Sequence, residues 1–193
     1  EISSELREVD YRAYEELAAA GDEPGPVLRA LGQLLFVGCA LSLLSAGRLV
    51  LFHVASVAIA WAFCPLIQAA SIRVALLGHA TRVSHRRTIE LGFMGNGAYL
   101  ALLGGLAALV MLAPDVPGVL RVLFANLVLS GLALAAFLHG CVTSYALYRA
   151  AIGAPRRQAL AMFGKEWLAK LCLLLAWYLV MNNIFPQFFG ART

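Results

Sequence analysis

Charge is scarce in this 193-residue chain. Charged residues make up 13% of it and hydrophobic residues 61%, where soluble domains carry about 25% and about 45–50%. Lysine occurs only at Lys165 and Lys170, so almost every cation is an arginine. No carboxylate stands deep within a long apolar stretch, which removes the intramembrane acid that a proton relay or a metal site would need. The four cysteines, Cys39, Cys64, Cys141 and Cys172, are far apart and show no CxxC spacing. That excludes a zinc or disulfide framework and leaves each reading as a small buried hydrophobe. A serine nucleophile elbow, an HExxH pair and a P-loop are also missing. Neither catalysis, a metal nor a cofactor is therefore expected. A bis-histidine haem fails on depth, because His53 and His139 fall toward opposite ends of their spans.

What the chain does have is long apolar runs, at 27–46, 49–78, 91–113, 119–148 and 167–185. Each is long enough to cross a bilayer, which takes about 20 apolar residues. A soluble core could absorb one such run but not five. Alternate connections differ sharply in charge. Arg7, Arg12, Arg29, Arg73, Arg82, Arg86, Arg87, Arg149, Arg156, Arg157, Lys165 and Lys170 fall on one side, and Arg48, Arg121 and Arg192 on the other. Loops rich in Arg stay cytoplasmic. The expected fold is therefore an all-α polytopic transmembrane bundle of five spans, N-terminus inside and C-terminus outside. The domain reading is a cytosolic acidic helix and hinge at 1–26, a membrane domain at 27–186 and an external tail at 187–193. The positive-inside rule accounts for the basic residues without nucleic acid. Arg in place of Lys, with abundant Ala, Leu and Gly, points to a bacterial inner membrane.

Of the eleven acids, Glu1, Glu5, Glu8, Asp10, Glu15, Glu16, Asp22 and Glu23 precede the first run. That acidic lead lacks the basic start of a secretory signal, and the absence of an initiator Met reads as a trimmed, processed or renumbered start. Residues 3–20 read as an amphipathic helix with Leu6, Val9, Ala13 and Leu17 on one face. Its acidic polar face suits the protein's own basic loops, or a partner protein, better than anionic lipid. Pro65 should kink the second span. Gly97, Ala101 and Gly105, four residues apart in the third, read as a close-packing face, and so do Gly131 and Ala135 in the fourth.

Counting depth from the cytosolic ends places Gln33, Gln68, Asn96 and His139 at one level on four helices, with Arg73 and Glu90 below them at the mouth. Two readings stay open for this cluster. Amides and imidazoles serve as interhelical glue, each bond contributing about 0.6–2 kcal/mol. They also form ligand or proton sites, and ionisable groups at depth are candidates for that by default. Arg73 and Glu90 could pair across the basic loop at 79–87.

From Cys64 to about Val180 the chain resembles the Yip family of five-span membrane proteins. The likeness is carried by the stretch Ile72-Arg-Val-Ala-Leu-Leu-Gly-His79, by Gly92-Phe-Met-Gly-Asn-Gly97, by a short Pro/Gly external turn, and by Gly140-Cys-Val-Thr-Ser-Tyr-Ala-Leu-Tyr-Arg149 ahead of a basic loop and a last span. Gly78-His79 stands where many bacterial members have a double glycine. The resemblance implies the same N-in, C-out topology and a non-enzymatic role, which in eukaryotes is vesicle traffic in contact with Rab GTPases. It supplies no catalytic residues.

The expected function is a non-enzymatic adaptor or assembly subunit of a membrane complex, with the lipid bilayer and other membrane subunits as partners and homo-oligomers possible. The rivals are a small transporter or channel using the polar cluster as its pathway, and a cofactor-holding subunit of an energy-converting complex.

Overall fold

A computed structural model describes residues 25–79, 83–112, 129–153 and 155–184. All the regular structure among them is helical: α1 (Pro26–Ala46), α2 (Leu51–Trp61), α3 (Phe63–Leu76), α4 (His85–Met94), α5 (Gly97–Leu112), α6 (Leu129–Ile152) and α7 (Arg156–Leu179), followed by a π-helical turn at Val180–Ile184. Four helical stretches are long and apolar enough to cross a membrane: Pro26–Ala46, Leu51–Leu76, His85–Leu109 and Ser130–Arg149. The fifth, α7, carries Lys165, Glu166 and Lys170 and is not among them. The helix expected at 3–20, the turn around Asp115–Gly118 and the tail at 187–193 lie outside the described residues.

Local chemistry explains the element ends. α1 starts with Pro26, whose missing N–H costs nothing at a first turn. It stops at Gly47, whose left-handed φ of 64° lets its N–H bond the Leu43 carbonyl. The fully buried Ser42 then ties down the turn, with Oγ donating to the Arg48 carbonyl at 3.1 Å and accepting from the Val50 N–H at 3.0 Å. The second apolar run breaks at Ala62. Pro65 has no N–H for the Trp61 carbonyl and its ring crowds that oxygen, so the helix restarts as α3.

Two expected boundaries move. α4 begins at His85, inside the presumed basic loop, where Ser84 Oγ caps it by accepting the Arg87 N–H at 3.2 Å. α7 begins at Arg156 rather than at 167, so most of the presumed last loop is helix.

The helices form a ring: α1 on α2, α3 on α7, α7 on α6, α6 on α5, and α5 back on α1. The short α4 plugs one end and touches α1, α3 and α6. Burial concentrates at that end. Ile72, Ala75 and Leu76 of α3, Ile89 and Phe93 of α4, Tyr148 of α6 and Ala159 and Met162 of α7 make one cluster, with Ala30 of α1 against it. At the other end and around the outside, large apolar side chains face outward: Leu51 is 85% exposed, Ile59 76% and Leu112 84%. In water such a surface would be strongly unfavourable, and in hydrocarbon it is neutral.

The close-packing faces are not the expected ones. Gly97, Ala101 and Gly105 are exposed, and so are Gly131 and Ala135; a Cβ on Gly97, Gly105 or Gly131 would meet nothing. The packed faces lie one residue away. α5 uses Gly104, set against Phe36, and the buried Ala107; α6 uses Ala136, Gly140 beside Tyr99, Thr143 and Leu147. One residue is a rotation of about 100°, and a helix apolar all round gives no sign of which face turns inward.

The tightest approach to another helix's backbone among the described glycines is at Gly38 of α1, where an added Cβ would lie 2.6 Å from the Val54 carbonyl oxygen of α2. Backbone cannot rotate away as a side chain can. Gly38→Ala is therefore expected to lower stability by about 1–3 kcal/mol, the range for overpacking, while Gly105→Ala, into open space within a helix, costs nothing and adds up to about 1 kcal/mol. Thermal unfolding in detergent decides; equal midpoints for the two variants would refute the assigned packing face.

Candidate functional site

The helix formed by α4 and α5 is broken at Gly95–Asn96. Gly92, Gly95 and Gly97 each weaken a helix by about 1 kcal/mol relative to Ala, and Gly95 also lets α6 approach, since its Cβ would stand 3.0 Å from Thr143 Oγ1. At the break the Asn96 N–H turns to the Phe93 carbonyl at 3.2 Å. The Gly92 carbonyl loses the helical donor it would otherwise have had four residues on.

Three amides answer that loss. Gln68 Nε2, from α3, donates to the Gly92 carbonyl at 3.0 Å, and Gln33 Nε2, from α1, donates to the Phe93 carbonyl at 2.6 Å. Asn96 closes the circuit. Its Nδ2 donates to Gln68 Oε1 at 2.9 Å and to Gln33 Oε1 at 3.0 Å, and its Oδ1 accepts from Gln68 Nε2 at 3.2 Å. Every oxygen and nitrogen of the three side chains thus has a partner. The arrangement ties α1, α3 and the α4–α5 break into one polar knot, part-buried at the packed end of the bundle.

The other three expected members lie elsewhere. His139 is exposed on α6 and makes no hydrogen bond among the described residues; the polar group α6 brings to this level is Thr143, one turn on, whose Oγ1 donates to the Gly140 carbonyl at 3.0 Å. Arg73 is exposed and does not meet Glu90. Glu90, 4% exposed, is held by Arg87 Nη1 at 2.9 Å on Oε2 and by Arg29 Nη2 at 3.5 Å on Oε1. Arg29 prevails because α4 packs against the first turns of α1, and Arg87 because it sits one turn before Glu90 on the same helix face.

A second buried carboxylate, Glu166, is not among the expected site residues; in sequence it stands at the entry to the fifth apolar run at 167–185. Glu166 is 1% exposed and is ion-paired with Lys170 one turn along α7. Its other oxygen has no hydrogen-bond partner among the described residues, and neither has the nearby, fully buried Tyr148 hydroxyl of α6. The Lys170 ammonium lies 5.0 Å from the centre of the Trp167 ring, which packs edge-on against Phe137 of α6 at 5.2 Å. Further along α7, Trp177 stacks on Phe63 of α3 at 5.0 Å. The available signal was the i, i+4 Glu–Lys spacing on a helix that starts earlier than hydropathy suggests. No group of His, Cys, Asp and Glu among the described residues is arranged to hold a metal ion.

Asn96→Leu removes three amide bonds and strands two glutamine oxygens, so a loss of about 2 kcal/mol is expected. His139→Leu should be silent in the same thermal unfolding assay. Reversed effects would mean that the network does not hold the helices. For the ion pair, Glu166→Ala should cost about 3 kcal/mol by leaving Lys170 without its counter-charge. Adding Lys170→Met should restore most of that, whereas a double variant as unstable as the single one would remove the charge from the explanation.

No protein-family model, curated protein or solved structure matches this chain.

Proposed function

We propose that the chain is a five-span integral membrane protein of a bacterial inner membrane, N-terminus in the cytoplasm and C-terminus outside, and that it works as a non-enzymatic adaptor or assembly subunit of a membrane complex. The observation that carries this reading is the saturation of the Gln33–Gln68–Asn96 network. A permeation pathway needs polar groups free to exchange partners with a passing solute, and here each amide is committed to another amide or to a carbonyl of α4. The outward-facing apolar surface of α2, α5 and α7 offers area for neighbouring subunits as well as for lipid. The layout resembling the Yip family fits the same role.

The test combines topology, flux and partners. Cysteine placed at Ser84 or Gln158 should stay protected from a membrane-impermeant thiol reagent in intact cells, and cysteine at Arg48 or Thr193 should react. Purified protein in liposomes should show no solute flux above empty vesicles, and gentle detergent extraction at native expression should bring down a membrane protein in fixed ratio. Flux that Gln68→Leu abolishes would replace this reading with a transporter. The opposite labelling pattern would invert the topology.

A further inference from the structure

Beside the plugged end lies a feature that neither the network nor the ion pairs use. The last turn of α3, the bend at Leu77–His79 and the first residue of α4 enclose a half-open cleft of about 470 Å³, lined by Arg73, Leu76, Leu77, Gly78, His79 and His85. Among the described residues its walls carry no carboxylate. Arg73 is exposed and, among the described residues, has no ion-pair partner, whereas Arg29 and Arg87 are engaged with Glu90. His79 Nδ1 donates to the Leu77 carbonyl at 3.0 Å, which leaves its Nε2 for another partner. The N-terminal end of α4 at His85 adds partial positive charge. The remaining lining is apolar, and it continues along the outside of α3 through the exposed Leu77, Val74 and Leu66.

The Arg73 cation at a helix end, next to an apolar outer face running toward the bundle centre, matches a molecule with an anionic head and a hydrocarbon tail. We propose that this cleft binds the phosphate of an anionic phospholipid from the cytosolic leaflet, with Arg73 as its principal contact and His85 as a further donor. Basic pockets between helices at the cytoplasmic face hold such headgroups by the same chemistry, and an arginine fork fits a phosphate through two parallel bonds. The inference rests on the integral-membrane reading with this end in the cytosol.

The experiment titrates phosphatidylglycerol into phosphatidylcholine nanodiscs holding the protein and follows the unfolding midpoint. A saturable rise is expected. Arg73→Gln, on an exposed side chain, should unfold like the parent in pure phosphatidylcholine yet need about tenfold more phosphatidylglycerol for half the rise, the effect of losing one charge-assisted contact. Arg156→Gln, an exposed arginine at the start of α7 outside the cleft, should titrate like the parent. Inorganic phosphate or glycerol 3-phosphate in pure phosphatidylcholine should give no rise. The proposal falls if Arg73→Gln titrates as the parent does, if Arg156→Gln loses as much, or if free phosphate alone reproduces the shift. Extraction of native membranes with alkaline carbonate separates the two levels: release of the chain overturns the integral-membrane reading, whereas a retained chain with a flat titration overturns only the cleft.

Discussion

A peptide carbonyl that loses its helical donor inside hydrocarbon has no water to turn to, and leaving it unpaired costs several kcal/mol. The break between α4 and α5 creates that situation at Gly92, where the Gln68 side chain supplies the missing donor from α3, while Gln33 of α1 adds a second donor to the neighbouring Phe93 carbonyl. Much else follows. An amide can reach a carbonyl at 2.6–3.0 Å only if α1 and α3 stand at fixed depth and rotation beside α4. Asn96 then locks the two glutamines to each other. The helix break and the network are thus one feature: glycines that weaken the span would be a liability without the amides, and the amides would be unpaired without the break.

The buried charges work on the same scale but are arranged differently. Glu90 is clamped between an arginine of its own helix and one from α1, so it fastens the plug to the first span. Glu166 has its cation on its own helix and a tyrosine opposite. That pair is neutral overall, which lets α7 lie along α3 and α6 without carrying a net charge into the packed end. Buried ion pairs add little net stability against apolar replacements, though breaking one is expensive. Their consequences differ: the Glu90 clamp fixes α4 against α1, whereas the Glu166–Lys170 pair lies within α7.

Much of this was legible in the sequence. The polar residues Gln33, Gln68 and Asn96 stand out because amides are rare in apolar runs, and antiparallel counting puts them at one depth. Pro65 announces the bend at Ala62. What could not be read is rotation about each helix axis. Small residues recur on α5 and α6 in two interleaved rows, 97/101/105 against 104 and 107, and 131/135 against 136/140/143. In a soluble protein the polar face would decide between them; in a helix apolar all round nothing local does. His139 was assigned inward and Glu166 left at a span entry for the same reason. The helix starts at His85 and Arg156 were hidden by charge, since hydropathy marks the hydrocarbon boundary rather than the helix boundary.

The bundle is held at one end and open at the other, and this asymmetry bears on what it can do. Alternating access requires two halves that rock about a site whose contacts can be exchanged. Here the amide network, the Glu90 clamp and the aliphatic cluster bind α1, α3, α4, α6 and α7 together at one end, so motion there would break them at once. The opposite half is joined by the Gly38–Val54 contact, the Ser42-bonded turn and aromatic stacking, and it presents large apolar side chains to its surroundings. A rigid base with a laterally apolar upper half is poorly suited to moving a solute through its centre. It is well suited to holding a fixed shape in the bilayer against which another membrane protein can pack.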